Sequence, residues 1–203
     1  MTTIPEWNDR YVTDDLPWET GRPSTELVRI LNEYQIPRGR ALEIGCGSGN
    51  NAVYLAQQGF EVTAFDLSAK AVEMAQTKIK NVGVHVRLLT ADLSHLPDLG
   101  APYPFVFDRG VYHTARQGDL GLFIKVLKQY CVPGGYYLTI AGNKNEVRSG
   151  ERGPPRVTAE EICHELLGIM ELVQLKEMRF DQPLKDTGLG RALGWSAFFR
   201  RKK

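Results

Sequence analysis

Three glycines alternate with small residues directly after a short apolar run. The run at 41–44 is followed by Gly45-Cys46-Gly47-Ser48-Gly49, and a helical pattern begins near Asn50. Glycines at this spacing let a ligand approach the backbone closely, because no Cβ intervenes. A dinucleotide fingerprint would need its third glycine at position 50. The spacing therefore favours S-adenosylmethionine, which has no pyrophosphate, over the cofactor of an NAD(P)-linked oxidoreductase.

Two carboxylates follow the next two predicted strands. Asp66 comes about 20 residues after the glycine turn, where an acid accepts hydrogen bonds from ribose hydroxyls. The alternative is an acid stabilised by the dipole of the following helix. Asp92 is placed to accept a hydrogen bond from an adenine amino group, with Leu93 as apolar surface. Its alternative is an ordinary turn residue before Ser94.

The fourth predicted strand ends in Asp108-Arg109-Gly110 and leads to Tyr112 and His113. Arg109 is suited to a methionine carboxylate or an acidic substrate, unless it forms a salt bridge nearby. Tyr112 and His113 are candidate general bases for a hydroxyl or amine nucleophile. A lone histidine in a loop is otherwise polar surface. Cys46 is expected to be a small packing residue and not a nucleophile.

Aromatic residues mark the segment before the first strand. Trp7 and Tyr11 are one helical turn apart, and Trp18 follows. Such residues commonly pack against the core. Aromatic faces also attract a sulfonium through cation–π interaction, and a mobile arm excludes water.

The elements that must position these residues alternate in type. Apolar runs followed by helical spacing predict a doubly wound α/β fold: a mostly parallel, seven-stranded sheet with helices on both faces. Two late strands separated only by a loop predict an antiparallel C-terminal edge strand. The predicted strands are 41–45, 60–66, 84–91, 104–108, 135–141, 172–175 and 195–199, and the helices are 50–58, 68–80, 118–130 and 158–167.

Composition limits the class of protein. The 203 residues, 42% hydrophobic, predict one domain with an arm at 1–25, a cofactor-binding core at 38–142 and an acceptor-side region at 143–203. A net charge of +1 gives no reason to expect a nucleic-acid or membrane partner. Three cysteines without C-x-x-C spacing favour a reducing cytoplasm and argue against a zinc site.

On these residues the chain resembles the class I S-adenosylmethionine-dependent methyltransferases over nearly its whole length. Motif I corresponds to the segment from Glu43 to Gly49, with Asp66 and Asp92 as the ribose and adenine acids. The thiopurine methyltransferase group, with its halide, thiol and tellurite relatives, is the most similar. The aromatic arm, Asp108-Arg109-Gly110 and Gly153-Pro154-Pro155 carry that narrower resemblance.

The resemblance implies in-line transfer of a methyl group to a small acceptor. We expect the enzyme to be a monomer. A soft nucleophile (thiol, thiopurine, halide or metalloid oxyanion) needs no strong base. The alternative is N- or O-methylation of a heterocyclic or phenolic metabolite with His113 or Tyr112 as base. The substrate-binding residues would be Trp18, Arg109, Tyr112 and His113. The cofactor-binding residues would be Trp7, Tyr11, Trp18, Glu43, Gly45, Cys46, Gly47, Gly49, Asp66, Leu67, Asp92, Leu93 and Arg109.

Overall fold

A computed structural model describes residues 4–147, 153–184 and 191–203. Positions 148–152 and 185–190 of the predicted acceptor-side region lie outside the described residues. The strands are β1 (Arg40–Ile44), β2 (Glu61–Asp66), β3 (Val86–Thr90), β4 (Tyr103–Arg109), β5 (Cys131–Asn143), β6 (Arg156–Val157), β7 (Met170–Arg179) and β8 (Leu193–Arg201). The helices are α1 (Ile4–Val12), α2 (Thr25–Glu33), α3 (Asn50–Gln57), α4 (Ala69–Val82), α5 (Val111–Ala115), α6 (Leu120–Tyr130) and α7 (Ala159–Leu166), with a 3₁₀ turn at Leu93–His95.

One sheet organises the described chain, in the order β3-β2-β1-β4-β5-β8-β7, with β6 paired to β5. The pairs from β3 to β5 are parallel, and β8 runs antiparallel to both of its neighbours. The predicted mostly parallel sheet with an antiparallel C-terminal strand is therefore confirmed. Because β7 runs parallel to β5, the carboxyl ends of β1, β2, β4 and β7 lie along the same edge of the sheet.

The position of the antiparallel strand differs from the prediction. β8 lies between β5 and β7, so β7 forms the edge of the sheet. The residues of β8 explain this arrangement, since Ala197, Phe198 and Phe199 are all buried and an interior strand needs apolar side chains on both faces. In β7, by contrast, Leu172 and Val173 are about two-fifths exposed (39% and 41%).

Helices cover both faces of the sheet, as predicted. Leu42, Ile44 and Val106 face a core to which α5, α6 and α7 contribute. Their strand neighbours Ala41 and Phe105 face the opposite core, to which α2 and α3 contribute. Among the described residues no helix has the length and hydropathy to cross a membrane.

Two short elements were not predicted. Helix α5 has five residues and follows Gly110, whose φ of 96° is left-handed. The two-residue strand β6 extends the sheet beside β5. Both elements are too short for a period in the sequence to be visible, so tertiary contacts define them.

Candidate donor and acceptor site

The glycine turn joins β1 to α3 at the carboxyl edge of the sheet. Gly45, Gly47 and Gly49 have φ values of 68°, 53° and 82°, which favour glycine. A Cβ at Gly47 would lie 2.8 Å from the Tyr11 hydroxyl oxygen, and one at Gly49 would lie 2.8 Å from the Cβ of Ala75. The glycines therefore allow close approach of the arm and of α4 to the turn.

Asp66 fastens the end of β2 to that turn. Its Oδ2 accepts a hydrogen bond from the Gly47 N–H at 2.8 Å, and its Oδ1 accepts one from the Ser68 N–H at 2.9 Å. Burial raises the pKa of the carboxyl group, whereas these amide donors act in the opposite direction. Each carboxylate oxygen can accept a further hydrogen bond, so a role toward ribose remains compatible with this structural one.

Glu43 is a buried acid at the end of β1, directly before the turn. Its side chain accepts a hydrogen bond at Oε1 from the Asn51 amide at 3.1 Å, while Oε2 has no hydrogen-bond partner. Burial raises the pKa of Glu43 to about 8, and the charges of Asp66 and Asp108 act in the same direction. A buried oxygen without a donor is costly, so this position favours a ligand that supplies one.

The three predicted aromatic residues meet above the glycine turn. Trp18 packs edge-on against Trp7 and Tyr11, with ring centroids 5.4 and 6.0 Å away. Its indole N–H donates to the Tyr11 hydroxyl oxygen at 3.3 Å. Burial raises the pKa of Tyr11. The guanidinium of Arg10 lies 4.3 Å from the Trp18 ring centroid, so this cluster already accommodates one cation of the chain.

Polar contacts fasten the arm at both ends. Asn8 accepts hydrogen bonds at Oδ1 from the Ser68 hydroxyl and the Lys70 N–H, at 3.0 and 3.1 Å. Glu19 accepts hydrogen bonds from the Ser48 hydroxyl at 2.5 Å and the Asn50 amide at 2.7 Å. The structure thus holds the arm against the turn and the start of α4.

Arg109 lies between the arm and the segment that follows β7. Its Nη1 donates to the Trp18 carbonyl oxygen at 3.1 Å, and its Cζ is 5.3 Å from the Phe180 ring centroid. Burial lowers the pKa of Arg109, and the charge of Asp181 is the strongest of those that oppose this effect. The neighbouring Asp108 does not pair with Arg109. The Asp108 carboxylate accepts hydrogen bonds from the first two N–H groups of α5 and from the Tyr137 hydroxyl, the latter at 2.6 Å.

The structure places His113 and Tyr112, the two predicted bases, in α5. His113 is buried in α5, where its Nδ1 accepts the Gly142 N–H at 2.8 Å. Burial, with the charges of Arg109 and Arg116, lowers its pKa to about 3. Tyr112 is buried too and donates to Glu165 at 2.5 Å, and burial raises its pKa. These internal contacts do not favour either residue as a base, and the base role stays a prediction.

Other predicted residues have mixed positions. Asp92 accepts hydrogen bonds from the Ser94 N–H and from the Ser94 hydroxyl, both at 2.8 Å, and thereby caps the 3₁₀ turn. This matches the alternative in which Asp92 is an ordinary turn residue. A role of Asp92, Leu93 and the half-buried Leu67 toward adenine stays a prediction. Cys46 is buried, which raises its pKa, so it is a packing residue and not an activated nucleophile.

A polar network that was not predicted extends from Glu43 toward α2. Asn51 donates to Glu43 and accepts the Ser24 N–H at 2.8 Å. The next amide, that of Thr25, donates to Asp181 at 3.2 Å. Asn51 follows the glycine turn closely in the sequence, and this position could have marked it as a candidate site residue. Asp181 carries no local signal, because 156 residues separate it from Thr25.

Comparison with known proteins finds a domain that resembles part of this chain. Residues 41–135 match a family model described as a methyltransferase domain. The matched segment contains the glycine turn, Asp66, Asp92 and Arg109. The finding removes the support for an NAD(P)-linked oxidoreductase, in agreement with Asn50 at the third glycine position of a dinucleotide fingerprint.

Two relatives illustrate the family. "Probable thiol methyltransferase 2" of Arabidopsis thaliana is 26% identical over 151 residues, covering 73% of this chain and 65% of that protein. A 2-heptyl-1-hydroxyquinolin-4(1H)-one methyltransferase of Mycobacteroides abscessus is 23% identical over 151 residues, covering 72% and 64%. The chain thus spans 65% and 64% of the lengths of these curated relatives.

A solved structure supports the fold. It comes from work on the conversion of a disulfide bond into a thioacetal group during echinomycin biosynthesis, and has a TM-score of 0.78. It is 22% identical and covers 92% of this chain and 84% of its own. At this identity the likeness shows the fold alone.

The residues present fit S-adenosylmethionine, the cofactor of this family. Two observations support the fit. The glycine turn, which has three backbone positions without a Cβ, lies at the carboxyl edge of the sheet, and the orphaned Oε2 of Glu43 lies directly before it. Ligands of open α/β sheets bind at this edge.

Proposed function

We propose that this protein transfers a methyl group from S-adenosylmethionine to a small acceptor that attacks as a soft anion, with thiolates as the first candidates. One observation carries this proposal: His113 and Tyr112, the expected bases, are engaged internally, while the cation Arg109 lies at the same strand end. An acceptor that arrives already ionised needs a positive field and correct placement, and it does not need a base.

The chain's residues have separate tasks in this mechanism. When bound, S-adenosylmethionine supplies a methyl group on a positively charged sulfur. The glycine turn and Asp66 hold the nucleoside, and the adenine side is assigned to Leu67, Asp92 and Leu93. Trp7, Tyr11 and Trp18 exclude water from the reacting atoms.

Arg109 acts on the acceptor through its charge. Its side chain is partly buried, so its field on an approaching anion is screened less than that of a surface arginine. Arg109 would thereby help to hold the acceptor in line with the transferable methyl group when the donor is bound.

The test is a panel of acceptors incubated with the protein and S-adenosylmethionine, scored by release of S-adenosylhomocysteine. We expect turnover with thiols. The rates with thiocyanate, iodide, tellurite, phenols and heterocyclic amines, measured in the same way, rank the acceptor classes. Turnover confined to phenols or amines would contradict the proposal. His113→Asn is the matched variant, because the Asn oxygen replaces Nδ1 as acceptor for the Gly142 N–H. Transfer to thiols should then change less than about threefold.

A second candidate is methylation of a hydroxylated heterocycle, which the name of the Mycobacteroides abscessus relative favours. Such an acceptor has to lose a proton in or before the transfer. Under this alternative, turnover with a hydroxyquinolone would exceed turnover with every thiol. A loss of that activity in His113→Asn would restore the base role that the structure argues against.

A further inference from the structure

Three orphaned polar atoms lie in one network beside the glycine turn. Among the described residues, six buried side-chain nitrogen or oxygen atoms have no hydrogen-bond partner. Half of them belong to this network: Oγ of Ser24, Oε2 of Glu43 and Oδ1 of Asp181. All three side chains are nearly inaccessible, with exposed fractions of 3%, 1% and 3%. Unsatisfied buried groups are rare, and three in one network indicate a missing donor.

Hydrogen bonds place these residues along one path. Asn51 donates to Oε1 of Glu43 and accepts the N–H of Ser24. Thr25, the first residue of α2, donates its N–H to Oδ2 of Asp181. In both carboxylates one oxygen is therefore used to fix the side chain, and the second oxygen is left for another partner.

The chemistry of these atoms selects the missing group. Two carboxylate oxygens and a hydroxyl oxygen all accept hydrogen bonds, and an ammonium group offers three N–H donors and a positive charge. An anion would be repelled by Asp181, and an apolar group would leave all three atoms unsatisfied. The nearby Arg109 does not neutralise Asp181 directly, since no ion pair joins these two described residues.

The sheet order indicates which ammonium group this is. Asp66 ends β2 on one side of the glycine turn, while Arg109 ends β4 on the other side. With adenine at Asp92, after β3, and ribose at Asp66, the amino-acid end of the donor would point across β1, past Glu43 and toward β4. Asp181 follows β7 at this same edge, and its charge acts on Arg109.

We propose that Asp181, with Glu43 and Ser24, binds the ammonium group of the methyl donor's amino-acid moiety. The segment after β7 thereby completes the donor site from outside the matched methyltransferase segment at 41–135. The inference rests on S-adenosylmethionine as the donor and is independent of which acceptor is methylated.

The experiment measures ligand affinity by calorimetry on the full chain and needs no turnover. S-Adenosylhomocysteine carries the ammonium group, its decarboxylated analogue keeps the amine alone, and 5′-methylthioadenosine has neither amine nor carboxylate. Asp181→Asn keeps an oxygen for the Thr25 N–H but removes the charge. We expect this variant to bind the first two ligands about tenfold more weakly and 5′-methylthioadenosine unchanged within about twofold.

The outcomes separate the explanations. Unchanged binding of 5′-methylthioadenosine shows that the variant is folded, and Ser24→Ala provides a second, milder variant with a smaller loss in the same direction. Equal weakening of all three ligands, or of none, would overturn the proposal. Weakening of S-adenosylhomocysteine but not of its decarboxylated analogue would assign the effect to the carboxylate and overturn it too. Failure of the unaltered protein to bind any of the three would overturn the donor assignment itself.

Discussion

The two halves of the sheet's carboxyl edge satisfy their polar groups differently. In the network that runs from the glycine turn to the start of α2, the buried residues Glu43 and Asp181 each leave one carboxylate oxygen without a partner. A few residues away, Asp108, His113 and Tyr112 are also buried, but hydrogen bonds within the protein use their key atoms. The half with Glu43 and Asp181, which we propose to bind the donor, therefore retains capacity for a polar ligand. The half beside α5, which we propose to face the acceptor, uses these polar groups to fix α5, so its contribution to the acceptor is mainly shape and the charge of Arg109.

The largest effect should come from breaking the closed acceptor half. Glu165 forms a bidentate ion pair with Arg116, with N···O distances of 2.6 to 2.8 Å, and accepts a hydrogen bond from the Tyr112 hydroxyl. Glu165→Ala leaves the Tyr112 hydroxyl unpaired in a largely buried position and leaves Arg116 with Glu161, 3.2 Å away, as its remaining carboxylate partner. The free energy of unfolding should therefore fall by about 3 kcal/mol. Denaturant unfolding measures this loss.

The matched control is an exposed ion pair. Glu73 pairs with Lys70 at 2.8 Å on the surface of α4, and Glu73→Ala should cost about 0.5 kcal/mol or less. The affinity of Glu165→Ala for S-adenosylhomocysteine should stay within about twofold of the unaltered protein. A large loss of donor affinity would show that the two halves are not separate.

The next effect concerns the donor half. Asp66→Asn should weaken binding of S-adenosylhomocysteine by about 2 kcal/mol if the carboxylate also accepts ribose hydroxyls. Calorimetry measures this at a temperature where circular dichroism shows the variant to be folded. Asp92→Asn, at the capped turn, is the comparison variant. Reduced stability with unchanged affinity in Asp66→Asn would mean that Asp66 only fastens the turn to β2.

The acids of the edge also predict a dependence of stability on pH. Burial raises the pKa of Glu43 to about 8 and that of Asp108 to about 6. A carboxyl group with a raised pKa stabilises the fold most when it is protonated, and this stabilisation is lost as the pH rises through the folded-state value. The ligand-free protein should therefore lose about 1–2 kcal/mol of stability between pH 6 and pH 8, chiefly because of Glu43.

Glu43→Gln supplies the control for this pH dependence. The amide does not ionise, so unfolding curves of the variant should vary less between pH 6 and pH 8 than those of the unaltered protein. An equally steep decline in Glu43→Gln would show that another group titrates in this window.

The smallest effect concerns the arm. Trp18→Phe keeps an aromatic ring beside Tyr11 but removes the indole N–H that donates to it. Affinity for S-adenosylhomocysteine should fall by about 0.5–1 kcal/mol, the contribution of one neutral hydrogen bond. Trp7→Phe retains the ring contact with Trp18 and should have less effect. Equal effects of the two variants would assign the contribution to ring packing.

Much of the fold was predictable because its signals are local. Apolar runs of β-branched and aromatic residues mark the parallel strands, and the alternating glycines mark the turn after β1. The same locality explains the errors. His113, five residues after Asp108, looks like loop surface in the sequence, whereas α5 buries its side chain. No spacing in the sequence connects Asp181 with Thr25, because 156 residues separate them. The sequence predicted the C-terminal strand at the edge of the sheet, whereas β7 occupies that edge. The order of β7 and β8 depends on strand pairing, which the periodicity of a sequence does not reveal.

The three glycines of the turn have a consequence for protein engineering. Each position is closed by a different element: Val111 at the start of α5 meets Gly45, Tyr11 of the arm meets Gly47, and Ala75 of α4 meets Gly49. Grafting any one of these elements from a relative would require matched changes in the turn, and thereby in the other two. Substitutions in β7 avoid this coupling, because no β7 residue is among the nearest neighbours of these three glycines.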